Sequence, residues 1–271
     1  MISLLFLSVP VGFLGALTGL GGASILVPLL VLLGIPVKEA IASCMVTIIA
    51  TSSGSASSYV REGIANVKVA FYLEMFTTVG AIVGATITTL ISPIYLYFFF
   101  AAFLTTSFLK FREGVKEHPY EDQDRISRWL ELHGSYFDEA KGQLVEYKIR
   151  NALLGGIGMF IAGLAAGMLG IGAGAFKVTV HEGILKMPTK VSSTTSNFII
   201  GMTALAGTSV YLFSGLLNLT LMAPMAVGTT IGAVAGGRIL NKLENRSLKI
   251  LFYLIVIFLM GQMLYKGVKS F

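Results

Sequence analysis

Outside the stretch from Arg112 to Arg150 the chain has five acidic residues in 232; the other nine of its 14 Asp and Glu lie inside that stretch. A water-facing surface cannot be built from so few charges. Soluble domains carry about 25% charged residues, whereas here the share is 13% and the mean hydropathy is +0.80. The composition excludes a soluble fold and predicts an all-α, polytopic integral membrane protein, because backbone in lipid must satisfy its own hydrogen bonds and a helix does so within one segment. The net charge of +6 comes from Lys and Arg at the ends of apolar runs, which orients membrane segments and does not point to nucleic acid. With one cysteine, Cys44, no intramolecular disulfide can form and Cys-based metal or redox chemistry is not expected. The first basic residue is Lys38, so the apolar start lacks the basic region of a cleaved signal peptide and reads as mature protein.

A bilayer core needs about 20 apolar residues per helical crossing. Such runs occupy 1–18, 40–60, 67–91, 94–109, 151–169, 191–213, 219–236 and 248–265, with shorter ones at 25–35 and 175–185 after glycine-rich breaks. Spacings such as Gly80/Gly84 and Gly228/Gly232/Gly236 suit close helix packing. Between the fourth and fifth long runs lies a soluble connector, 112–148, expected on the cytoplasmic side. Trp129, Leu130 and Leu132 suggest a short amphipathic helix, and Tyr136–Tyr147 a hairpin turning at Lys141-Gly142. His118 and His133 have no metal-ligand spacing; neither metal nor other cofactor is expected.

The chain repeats itself. Gly12, Gly19 and Gly21 match Gly163, Gly170 and Gly172 at an offset of 151; Pro36, Lys38, Tyr59, Gly63 and Asn66 match Pro188, Lys190, Tyr211, Gly215 and Asn218 at 152; Gly80 and Gly84 match Gly228 and Gly232 at 148. The order is kept, so the chain is two homologous membrane repeats, 1–111 and 149–271, joined by the connector. Each opens with an apolar run, a glycine cluster, a shorter apolar run and a proline. Glycine this dense costs a continuous helix about 1 kcal/mol per residue relative to Ala. Breaks at matching places of two halves point to a transporter's binding site, where the restarting helix aims free N–H groups and its positive dipole end at a ligand. Two such ends favour an anion; a packing kink is the alternative. Leaving out Lys177, placed inside the membrane, if each broken segment enters and leaves on one side the halves are inverted and the other Lys and Arg divide 16 against 3; single crossings give 12 against 7. The positive-inside rule favours inverted repeats.

The paired motifs resemble the sulfite exporter TauE/SafE family. They are Gly19-Leu-Gly-Gly, Leu26-Val-Pro28, Gly34-Ile-Pro36 and Tyr59-Val-Arg-Glu-Gly63, then Gly170-Ile-Gly-Ala-Gly, Lys186-Met-Pro188, Thr195-Ser-Asn-Phe198 and Tyr211-Leu-Phe-Ser-Gly215. The resemblance spans both halves and implies a plasma-membrane permease for sulfite, sulfoacetate or a related small sulfur anion, coupled to a proton gradient. Two departures stand out: Ala173 where the family often has Gly, and Thr179 where the first half has Pro28.

Candidate substrate-binding residues are Gly19, Gly21, Gly22 and Ser24 at the first break, with Ser24 as a helix cap, and Gly170, Gly172 and Gly174 at the second. Lys177, costly at membrane depth by about 2.5–3.5 kcal/mol, is the candidate counter-charge; a salt bridge to Glu182 or Glu74, or snorkelling, is the alternative. Ser43 and Thr47, on a face continued by Thr51 and Ser55, and Thr195, Ser196 and Asn197 offer donors suited to an oxyanion, unless they bond their own helix. His181, four residues after Lys177, and Glu74, the lone acid of its run, are candidates for proton coupling. The pairs Tyr59/Tyr211 and Asn66/Asn218 read as interface anchors and caps. The partners implied are a small sulfur-containing anion and membrane lipid; a homo-oligomer is left open. The rival readings are an intramembrane hydrolase and a passive anion channel. The chain has no Gly-x-Ser-x-Gly and no phosphate-binding Gly-x-x-x-x-Gly-Lys-Ser/Thr.

Overall fold

The computed structural model describes residues 2–18, 22–61, 65–112, 123–138, 142–239, 257 and 261–268. Gly19, Gly21, Gly63, His118 and Lys141 lie outside the described residues, as do the side chains of Ser55 and Tyr59. The elements are α1 (Ile2–Thr18), α2 (Ala23–Leu32), α3 (Val37–Arg61), α4 (Val67–Leu90), α5 (Pro93–Arg112), α6 (Arg125–Trp129), β1 (His133–Asp138), β2 (Gln143–Lys148), α7 (Ala152–Leu169), α8 (Gly174–Gly183), α9 (Thr189–Phe213) and α10 (Leu219–Ile239). A further helical stretch covers 261–268. Val67–Leu90, Ala152–Leu169, Thr194–Phe213 and Leu219–Gly236 are each long and apolar enough to cross a membrane. The all-α membrane class read from composition holds.

The glycines set how closely the helices approach. A Cβ at Gly80 or Gly84 of α4 would collide with the backbone of Phe160 or Leu164 on α7, and one at Gly163 or Gly167 of α7 with Thr77 or Ala81 on α4. The seam is reciprocal: each helix places its small residues against the other's carbonyls. The α1–α10 seam is built the same way, with Gly12 against Thr229, Gly228 against Leu5 and Ser8, and Gly232 against Val9 and Phe13. In membranes, where lipid tails are as apolar as side chains, such close van der Waals packing drives helix association.

These registers also fix direction. As α4 advances from Gly80 to Gly84, its partners on α7 advance from Phe160 towards Met168, so the two run parallel; α1 and α10 do likewise. Asn66, Phe71 and Glu74 of α4 meet Thr195, Phe198 and Thr203 of α9 in the same order. On α3, by contrast, Met45 meets Gly207 and Ser52 meets Gly201, so α3 and α9 are antiparallel. The short connection 214–218 between α9 and α10 contains Gly215 at φ 68°. Thus α4, α7 and α9 run one way and α3 the other, while α1 and α10 run parallel to each other. Of the helices at matching places in the two halves, α3 and α9 are opposed.

Between α5 and α7 the chain forms the expected short helix and hairpin. β1 and β2 pair antiparallel with Tyr136 opposite Val145, and Gly142 takes the left-handed φ of 62° that the turn requires. Leu132, Tyr136, Tyr147 and Ile149 pack with Val69 and Leu73 of α4 and with Val180, Leu185 and Met187 around the end of α8. Asn66 joins the two parts: its Oδ1 accepts from Val69 N at 3.0 Å to cap α4, while its Nδ2 donates to Tyr147 OH at 2.8 Å and His133 O at 3.1 Å. Lys68 pairs with Glu131 at 2.8 Å beside them.

Candidate functional site

The second glycine cluster ends α7 and begins α8 within four residues. Gly170, Gly172 and Ala173 are all left-handed, at φ 64°, 69° and 48°. Glycine adopts this conformation freely, whereas an L side chain there costs about 1–2 kcal/mol, so Ala173 is strained where the first two positions are not. The loop is wedged between helices: a Cβ at Gly170 would lie 2.6 Å from Ile41 O of α3, and one at Gly172 would lie 3.1 Å from Cγ2 of Ile200 on α9. Backbone broken at this depth is tolerated because protein covers it.

A helix end leaves carbonyls without partners, and here two hydroxyls supply them. Tyr211 OH donates to Gly167 O at 2.5 Å, and Thr88 Oγ1 to Met168 O at 3.0 Å. Tyr211 is wholly buried, so it is a cap for α7 and not the interface anchor expected from its place near a run end. With the C-terminal end of α7 closed in this way, α8 presents its N-terminal dipole end beside it. At the first break the helix cap is Gly22, at φ 56°, with no side-chain hydrogen bond. Ser24 lies inside α2, so the expected Ser24 cap is corrected: glycine reaches the left-handed corner more cheaply than serine.

Lys177 is fully buried in α8. Its Nζ donates to Thr203 Oγ1 on α9 at 2.5 Å, and that oxygen stands 3.0 Å from both carboxylate oxygens of Glu74 on α4. Glu74 also accepts from Thr77 Oγ1 at 2.7 Å and Thr78 Oγ1 at 2.9 Å. Lysine and glutamate are therefore joined through a threonine and three helices meet at one polar cluster. Of the alternatives for Lys177, contact with Glu74 is the one present, mediated rather than direct. His181, one turn on, holds Ser192 O at 3.2 Å through Nδ1, and its Nε2 is buried without a hydrogen-bond partner.

The hydroxyl faces divide. Thr47 bonds Cys44 O at 2.7 Å and Thr51 bonds Thr47 O at 3.0 Å, so both satisfy their own helix. Ser43 Oγ and Ser24 Oγ are buried with no partner. On α9, Thr195 Oγ1 accepts from Asn66 N at 3.2 Å and Ser196 Oγ lies 3.4 Å from Gly174 O, which puts both beside the start of α4 or α8. Asn197 is half-buried and its carbonyl accepts from Ser52 Oγ at 2.8 Å. Asn218 Oδ1 accepts from Thr220 N at 3.1 Å, in keeping with a cap. Sequence reasoning missed Thr203, Thr77 and Thr78. The signal was present for the last two, since they sit three and four residues after Glu74 on one helical face; for Thr203 nothing local marks it. No group of His, Cys, Asp or Glu among the described residues is arranged to hold a metal ion.

Helices packed through glycine seams, with a buried charged cluster beside the loop between α7 and α8, define an all-α membrane protein. Residues 4–263 match the family described as Sulfite exporter TauE/SafE, and the chain belongs to that family. It is similar to "Probable membrane transporter protein YunE" of Bacillus subtilis (strain 168), with 24% identity over 98% of each chain. It is also similar to "Probable membrane transporter protein YdhB" of the same organism, with 27% identity over 92% of each. No solved structure matches the chain.

Proposed function

We propose that the protein is a secondary transporter of a small anion, sulfite or another sulfur oxyanion or organosulfonate, driven by a proton gradient across the plasma membrane. The observation that carries this reading is Lys177. It is a fully buried cation in the second turn of a helix that restarts at a glycine break. An unpaired lysine in hydrocarbon is expensive, and an anion at the N-terminal end of α8 would meet both its charge and the helix dipole. Glu74 and His181 are the proton-coupling groups on this reading. The glycines and hydroxyls at the two breaks (Gly22, Ser24, Ser43 and Thr47; Gly170, Gly172, Gly174, Thr195, Ser196 and Asn197) line the path. The family's name supports sulfite as the first anion to try.

The two repeats are inverted across the bilayer, with the connector on the cytoplasmic side, and rock against each other to alternate access. The opposed directions of α3 and α9 support this arrangement, as does the excess of Lys and Arg on the connector side. The test is flux into proteoliposomes offered sulfite, thiosulfate, sulfate and sulfoacetate, with and without an imposed proton gradient. Saturable uptake of one of them, accelerated by the gradient, is expected, and Lys177→Met abolishes it in folded protein. Unsaturable flux that the gradient cannot drive uphill would make the protein a channel, and no flux of any of the four would overturn the sulfur assignment.

A further inference from the structure

The cluster Lys177–Thr203–Glu74 straddles the halves, taking Glu74 from the first and Lys177 and Thr203 from the second, so the repeat implies one symmetry-related place, made of α2, α3 and α10. The offsets of the repeat place Leu26 opposite Lys177 and Thr51 opposite Thr203, and put an apolar residue of the segment Met222–Ala226 opposite Glu74. Leu26 is fully buried and Thr51 bonds its own helix. The same helix arrangement is thus built once with apolar side chains and once with a buried cation and carboxylate. Hydrophobic replacement of a buried ion pair is often neutral or stabilising, and the symmetry-related place carries that replacement already. Folding alone does not call for the charges.

We propose that the transported anion and the ionised Glu74 carboxylate compete, through Thr203, for the single Lys177 ammonium, so that each anion charge taken into the site brings one proton onto Glu74. This rests on the transport reading above. Without a ligand, one ammonium and one carboxylate balance. A monoanion leaves one uncompensated negative charge in a low-dielectric site, at large cost, and a proton on Glu74 restores balance. Thr203 can serve both states because a hydroxyl has one proton and two lone pairs. With Glu74 ionised, it accepts from Lys177 and donates to the carboxylate. With Glu74 protonated, its hydrogen turns to Ile199 O, 2.9 Å away, and its oxygen accepts from the carboxyl. No proton is gained or lost by Thr203 itself.

Other ionisable groups near Glu74 are few. α7 carries none. On α9, Lys190 and Tyr211 lie towards the two ends, and Tyr211 is held on Gly167 O. α8 contributes His181 and Glu182 besides Lys177. On α4 itself, Lys68 pairs with Glu131 and Tyr72 donates to Ala152 O. His181 holds Ser192 O through Nδ1, whereas Glu74 is the group that Thr203 bonds directly, so the coupled proton is assigned to Glu74.

The experiment adds sulfite, at mildly acidic pH where it is chiefly the bisulfite monoanion, to purified protein in weakly buffered solution containing a pH-sensitive dye. Wild type takes up about one proton per anion bound, by the charge balance above. Glu74→Gln binds sulfite with no proton uptake, and its flux in proteoliposomes ignores the proton gradient. Thr203→Val weakens sulfite binding about tenfold by removing a hydrogen bond to a charged group, and also reduces proton uptake; Thr203→Ser restores both. A purely structural role would not give this split between valine and serine. Should Glu74→Gln fail to fold, the double variant Lys177→Leu with Glu74→Met, patterned on the symmetry-related residues Leu26 and Met222, folds but neither binds sulfite nor takes up protons. Full proton uptake by Glu74→Gln, or by Thr203→Val, overturns the inference while leaving transport standing. Wild type that neither binds nor moves sulfite overturns the transport reading with it.

Discussion

Tyr211 illustrates what single side chains do in this molecule. Its hydroxyl supplies the donor that Gly167 O lacks where α7 stops. Tyr211→Phe keeps the ring and leaves a buried carbonyl without a partner, which costs about 1–3 kcal/mol. A fall of several degrees in the melting temperature of the detergent-purified protein is expected, and an unchanged midpoint would show that the carbonyl finds another donor. Asp124 makes a different residue-scale contribution outside the membrane. Burial works to raise its pKa, but hydrogen bonds from the Ser127 side chain and backbone and from the amides of Asn151 and Ala152 outweigh burial and hold it below the ordinary carboxylate value. A depressed pKa contributes stability above the unfolded value that is lost as pH falls through the folded one. Acidification into that range should therefore speed hydrogen exchange at Ser127 and Ala152, where Asp124 ties α6 to the start of α7, and leave amides in the middle of α4 protected.

At the scale of elements, the glycine seams decide how the helices assemble. Gly80→Val or Gly163→Val would drive a side chain into a facing backbone that cannot swing aside. Overpacking of this kind costs about 1–3 kcal/mol or more. Reduced yield and lower thermal stability are the expected outcome, whereas the same change at Gly183, where a Cβ meets nothing within 4 Å, is tolerated. A size-exclusion and melting comparison of the three variants would separate seam from surface. The periodic glycines were legible in the sequence as packing motifs, but which helix each one faces was not, because a spacing of four residues names a helix face and not its neighbour.

For the whole molecule, the decisive expectation is orientation. The antiparallel relation of α3 and α9 puts the ends of matching helices on opposite faces. In a Cys44→Ala background, cysteines at Ser135 and Lys186 should be labelled by an impermeant thiol reagent from one side only, and cysteines at Ser92 and Ser214 from the other. Labelling of Ser214 and Ser135 positions from the same side would sink the inverted arrangement.

The sequence by itself determined the membrane class, the break between α7 and α8 and the apolar helical runs. These follow from charge scarcity, glycine spacing and run length, which are local quantities that survive without knowledge of neighbours. α4, α7 and α10 fall within a few residues of the runs at 67–91, 151–169 and 219–236 for that reason. It also singled out Lys177 and Glu74, since an ionisable residue in an apolar run is conspicuous anywhere. Only the tertiary structure decided that Thr203 stands between them, that Tyr211 closes α7 and that the α9 hydroxyls face the starts of α4 and α8. The two charges are 103 positions apart, and the threonine that joins them looks like every other threonine on its helix. Which oxygen meets which cation depends on how three helices cross, and one-dimensional periodicity carries no record of a crossing.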